Sequence, residues 1–366
     1  MIKTLVGGWG NTTAGSLSFN TLWKTDNAGT SSTSQITVPT ISGGSYNCTV
    51  YWGDGTSSTI TTYNDAAWTH TYPSPGTYLV SMVGTVTGLS FNNTGDKLKL
   101  LRILNWGGFG FGTSSATFYG CTNLTITATD VPSLTGATII NAYFRTCTSI
   151  TTIPNINNWS IPSTVTQIAN LFNGATNFNS SVNSWNVANV TSFVFCFAST
   201  NLFNQPLSAW STGNCTSFSS MFSGAIAFNQ DISAWNTAKA TNLSSMFQNA
   251  TSFNQNISTW NTGLVTNMSS MFSGATSFNQ NLGAWNITKL VSGATGGTTM
   301  FTGVTLSNAN YNGLLAGWGA QVPLTGVTFS GGNSHYDSTS GGYNGTAGRA
   351  VLTGTYTWTI TDGGTP

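Results

Sequence analysis

Six tryptophans constrain this chain more than any other feature: Trp159, Trp185, Trp210, Trp235, Trp260 and Trp285 are spaced 26, 25, 25, 25 and 25 residues apart. Two phenylalanine series keep the same period, Phe172, Phe197, Phe222, Phe247 and Phe272, and Phe178, Phe203, Phe228, Phe253 and Phe278. Within a unit, Val265, Met268, Met271, Phe272 and Ala275 recur at three and four, which suits a short helix or helical turns. Phe278, Leu282 and Trp285 follow with polar residues between them, which suits an extended segment and a corner. A unit this short cannot bury its apolar face alone, whereas stacked units can. The spacing therefore predicts a solenoid, mainly β with short helices, carrying one short parallel strand per turn at ~4.8 Å between turns.

Earlier, looser copies align with the regular ones. Phe118, Phe144 and Phe172 take one position, and Cys121, Cys147 and Ala175 another. Cys215 and Cys196 likewise stand where Val265 and Met271 stand, so four of the five cysteines read as small packed core residues. Met300-Phe301 marks a last turn after a small insertion. Ahead of the repeats, Ile36 to Ile41, Tyr46 to Trp52 and Tyr78 to Val86 read as strands, with Gly53-Asp54-Gly55 a tight turn. Four charges between Asp96 and Arg102 predict a junction that caps the first turn where it meets water. The resulting division is an attachment or leader segment at 1–22, a β-sandwich at 23–90, the solenoid at 91–305 and a C-terminal cap at 306–366. Within the cap, Tyr311 to Gly317 reads as a helix and Tyr356 to Ile360 as a strand.

Only 5% of residues are charged, there is no glutamate, and the net charge is +1. Such a surface stays wet through Ser, Thr, Asn and Gly. Long-range steering of nucleic acid or a charged substrate is excluded, and association with further copies is favoured. No stretch approaches a membrane span. Residues 1–9 lack the apolar run and cleavage site of a secretory signal, so the expected route out of the cell is lysis as part of a virus particle.

The segment Val265 to Trp285, VTNMSSMFSGATSFNQNLGAW, and its copies resemble the BspA-type leucine-rich-repeat family of bacterial and viral surface proteins. The resemblance spans about residues 100 to 364 and takes in the endings YNGLLAGWGAQ, GVTFSGGNSHY and YTWTITDGG. Trp52-Gly53-Asp54-Gly55-Thr56, His70-Thr71-Tyr72 and Pro75 to Val80 resemble a PKD-like β-sandwich, although the aromatic stands directly before Gly53. Both resemblances imply adhesion, display or carriage rather than catalysis.

Chemistry-bearing residues are sparse. Asp130 and Asp231 fall about four turns apart, too far to share a glycosidic bond at ~5 to 9.5 Å. Asp26, Asp54 and Asp65 read as turn formers before calcium ligands. His70 reads as locally bonded in a strand, and His335 as a cap-loop residue. No catalytic, cofactor or metal residue is assigned. The in-phase Asn204, Asn229, Asn254 and Asn279 predict a structural amide ladder. The tryptophan series reads as core, with a sugar-stacking platform as the alternative. The expected function is a non-enzymatic virion surface protein (capsid decoration, fibre or tail-associated), located on the virion or otherwise extracellular. The alternatives are a cell-surface adhesin or a self-assembling filament subunit. Expected partners are other assembly proteins, copies of itself, and a host glycan or surface protein.

Overall fold

A computed structural model describes residues 18–366. The segment read as a leader therefore lies outside the described residues up to residue 17. The described chain is mainly β with a few short helices. It divides into two compact units, Met1–Val165 with Asn170–Asn186, and Thr166–Ala169 with Val187–Pro366.

In the first unit, β1 (Ser18–Lys24) takes in residues 18–22. Phe19, Thr21 and Trp23 point inward at period two. The other strands are β2 (Gln35–Thr37), β3 (Tyr46–Tyr51), β4 (Ser57–Ile60), β5 (Thr69–Thr71), β6 (Thr77–Thr87), β7 (Leu100–Asn105), β8 (Phe109–Gly110), β9 (Thr125–Ile126) and β10 (Ile139–Asn141). One sheet runs β4-β3-β6-β1-β7-β9, with β8 beside β6, while β2 and β5 pair separately. From β4 to β7 along this order the strands are antiparallel, whereas β8 pairs with β6 and β9 with β7 in parallel, the latter through Ile103 and Ile126. Beyond that switch, Phe118, Phe144 and Phe172 stack at 5.7 Å between successive rings. Cys121, Cys147 and Ala175 are fully buried beside them.

The charged segment at 96–102 departs from expectation. Asp96 and Lys99 are buried rather than solvated, 3.8 Å apart. Asp96 accepts from the Ser31 N–H at 3.0 Å, the Ser31 hydroxyl at 2.6 Å and the Thr37 N–H at 2.7 Å. Lys99 Nζ donates to the carbonyls of Ser31, Ser32 and Gln35 at 3.1, 2.8 and 2.9 Å. A buried ion pair survives only when its remaining donors and acceptors are satisfied, and the 31–35 loop does this. The segment therefore pins that loop from inside instead of capping a coil at the surface.

In the second unit, β11 (Gln167–Ala169) begins a parallel series. Gln167, Ser192, Ser217, Asn242 and Asn267 bridge in succession, one residue per repeat. The expected strand is thus reduced to a single bridge. The expected short helix is a run of turns instead. Met246 and Ala250 N–H groups bond back to Leu243 and Phe247 at 3.2 and 3.0 Å. Ser220, Ser245 and Ser270 adopt the left-handed conformation (φ 54°, 53° and 54°), which an α-helix does not tolerate. Their N–H groups turn to the next repeat: Ser245 N–H donates to Ser269 O at 2.8 Å and Phe247 N–H to Met271 O at 2.9 Å.

Three aromatic columns fill this interior. Phe197, Phe222, Phe247, Phe272 and Phe301 stack at 5.3–5.8 Å. Phe203, Phe228, Phe253 and Phe278 stack at 6.0–6.1 Å. Trp210, Trp235, Trp260 and Trp285 stack at 6.2–6.4 Å. After the repeats come β12 (Gly293–Gly297), α1 (Asn308–Gly319), β13 (Val327–Ser330), α2 (Gly345–Ala350) and β14 (Thr359–Thr361). The three strands pair in parallel, and α1 buries Tyr311, Leu314, Leu315 and Trp318. The Tyr311 to Gly317 and Tyr356 to Ile360 readings correspond to α1 and to the stretch running into β14.

Candidate binding surface

Every aspartate is engaged by a hydrogen bond or an ion pair. Asp26 pairs with Lys24 at 2.7 Å, and Asp65 caps a turn through the Ala67 N–H at 2.9 Å. Asp130 accepts from the Trp106 and Gly107 N–H groups at 3.0 and 2.6 Å. Asp231 accepts from the Ser233 N–H at 2.9 Å. Asp337 accepts from the Thr339 and Ser340 N–H groups and the Ser340 hydroxyl, and Asp362 takes Arg349 and the Tyr311 hydroxyl. The Ser233 N–H holds the Asp231 carboxyl below the usual range, and the Ser340 hydroxyl with its neighbours holds Asp337 far below it. A general acid for glycoside hydrolysis needs the opposite shift.

The two histidines differ. His70 Nε2 donates to Asp54 Oδ2 at 2.8 Å while the ring stacks on Trp52 at 4.6 Å, and His335 is exposed. Burial pushes the Asp54 carboxyl up, but hydrogen bonds from Thr56 and His70 outweigh it and leave it below the usual range. Asp54, Asp65 and Asp26 do not gather: among the described residues no three His, Cys, Asp or Glu side chains form a metal cluster. All five cysteines are free and buried. Burial raises the thiols of Cys48 and Cys215 to about 11 and about 12, so neither is a nucleophile near neutral pH.

The repeat residues occupy defined places. Trp159, Trp185, Trp210, Trp235 and Trp260 are at most 4% exposed and Trp285 is fully buried, so they offer no sugar-stacking platform. Four of the indole N–H groups serve the stack: Trp185 donates to Ile156 O at 2.7 Å, Trp235 to Leu207 O at 3.0 Å, Trp260 to Ile232 O at 3.1 Å and Trp285 to Ile257 O at 3.0 Å, whereas the Trp159 indole nitrogen is buried without a partner among the described residues. Phe172, Phe222, Phe247, Phe272, Phe228, Phe253 and Phe278 are fully buried.

The asparagines link repeat to repeat. Asn204 Oδ1 accepts from the Asn229 N–H and the Gln230 amide, both at 3.0 Å. Asn229 does the same for Asn254 and Gln255 at 3.0 Å, and Asn254 for Asn279 and Gln280 at 2.9 Å. Asn279 then accepts from Ser307 N–H at 2.8 Å and Asn310 Nδ2 at 2.9 Å, so the start of α1 completes the row.

Where this row meets α1, the surface opens into a depression of 370 Å³. Asn256, Ser258, Gln280, Asn281, Asn310 and Tyr343 line it, with no charged residue. Asn256 and Asn281 use Oδ1 to hold the N–H groups of Ser258 and Gly283 at 3.0 and 2.9 Å, and their amide nitrogens donate to no other group among the described residues. Gly283, Gly313 and Gly317 form the floor because a Cβ on any of them would strike its neighbours. Tyr343 is 45% exposed at the wall. The sequence did not single this place out, because its residues come from four separated stretches. A hint was present: Asn256 and Asn281 share a repeat position with Asp231.

The fold and this surface define a β-rich repeat protein with a neutral polar face. Residues 138–242 and 208–314 match the family model described as "Mycoplasma protein of unknown function, DUF285". That family belongs to the BspA-like surface-protein repeats. The two stretches overlap and together span just under half of the chain. No curated protein and no solved structure is matched by the chain.

Proposed function

We propose that this is a non-enzymatic surface-display protein that acts by recognition through a polar face with few charges. In this reading the repeats form a leucine-rich-repeat-like solenoid, and the strands ahead of them in sequence form a PKD-like sandwich. The carrying observation is that every carboxylate is tied into hydrogen bonds or an ion pair within the protein while the repeats leave amides and hydroxyls outward. The similarity to surface-protein repeats supports the same reading. The setting proposed is the surface of a virion or another extracellular assembly. The test is immunogold labelling of intact particles and cells of the source with an antibody raised against residues 187–305. Surface labelling before lysis is expected. Labelling that appears only after lysis, and not on released particles, overturns the proposal.

A further inference from the structure

We propose that the depression beside α1 is a binding site for an uncharged saccharide, one or two pyranose rings long. This rests on the reading of the protein as a recognition surface and gives that surface a ligand class.

A sugar presents vicinal hydroxyls that both donate and accept, and one C–H face that packs on an aromatic ring. The depression offers the complement. Asn256 and Asn281 supply free amide N–H donors whose carbonyl oxygens are already fixed by the Ser258 and Gly283 N–H groups. The amides are thereby held in one orientation before any ligand arrives, which lowers the ordering cost of binding. Gln280 and Asn310 are held the other way round. Their nitrogens donate to Asn254 and Asn279, which leaves their carbonyl oxygens as acceptors that take no hydrogen bond among the described residues. The site thus has two donors and two acceptors with assigned roles, together with the Ser258 hydroxyl. Tyr343 adds an exposed ring.

The absence of charge selects among ligands. With no lysine or arginine in the lining, nothing compensates the carboxylate of a uronic or sialic acid. With no apolar pocket and no strand edge in the lining, an extended peptide finds neither of its usual anchors. At 370 Å³ the volume is near the lower end of ligand pockets, about 300–1,000 Å³.

The repeat itself supplies the discriminating variant. Asp231 occupies the position of Asn281 two repeats earlier and accepts from the Ser233 N–H at 2.9 Å, the same distance at which Asn281 Oδ1 accepts from the Gly283 N–H. Asn281→Asp therefore keeps the turn while replacing the free donor with a carboxylate oxygen. The experiment titrates the full chain with glucose, galactose, mannose, N-acetylglucosamine and their β-linked and α-linked disaccharides, followed by saturation-transfer NMR and calorimetry. Glucuronic acid, sialic acid and a neutral octapeptide serve as counter-probes. Binding of at least one neutral sugar is expected. Asn281→Asp and Tyr343→Ala should each weaken it about tenfold or more, and Tyr343→Phe should retain it. Unchanged circular dichroism of each variant confirms the fold. The proposal is overturned if no neutral sugar binds, if a counter-probe binds more tightly, or if both variants bind as the parent does. Labelling of particles is independent of these titrations, so failure here leaves the display proposal standing on its own test.

Discussion

The sheet of the first unit and the repeats of the second solve the same problem in opposite ways. Both must satisfy buried backbone groups with few charges available. In the repeats each solution is copied: the Asn229, Asn254 and Asn279 bonds have near-identical lengths, and so do the indole bonds of Trp235, Trp260 and Trp285. In the sheet the solution is made once. Asp96 and Lys99 hold the 31–37 segment through contacts that occur nowhere else among the described residues. A copied bond spreads its load over neighbours, whereas a singular one does not.

This contrast orders the expected losses. Lys99→Met removes the donor to three carbonyls and leaves the Asp96 charge buried, which costs about 3–5 kcal/mol. Hydrogen exchange should show lost protection at 31–37 and 96–103. A loss of protection confined to residue 99 and its neighbours would break the comparison. Asn254→Ala removes one rung that is partly open to water. It should cost about 1 kcal/mol in urea denaturation, with the Asn229 rung still protected. A cost as large as that of Lys99→Met would show that the rungs act as one unit rather than by sharing. Ser245→Gly relieves a left-handed serine and should stabilise by about 0.5 kcal/mol, the steric gain being partly offset by chain entropy. Gly274→Ala should shift stability the other way, because the new methyl meets Asn249 Oδ1 at φ +73°.

The same contrast explains what could be read from the amino acids alone. The aromatic columns were legible because repetition reports a position several times, so Phe247 is understood through Phe222 and Phe272. The left-handed serines were not, because Ser220 and Ser245 look like ordinary helix-tolerant polar residues, and only the glycines at 224 and 274 hint at unusual backbone. The Asp96–Lys99 pair was misread for a physical reason. Clustered charge ordinarily means solvent, and its burial depends on carbonyls more than sixty residues away. The depression was illegible because no motif joins Asn256 to Tyr343, and only folding brings them to one wall.

The start of α1 carries a consequence for assembly. Ser307 and Asn310 occupy the last acceptor of the asparagine row, on the side where a further repeat would otherwise add. Open hydrogen-bonding edges are what templated fibre growth uses. With that terminus plugged, a second molecule cannot lengthen the row end to end by this route. The row's length is thereby a property encoded in the chain rather than one set by concentration.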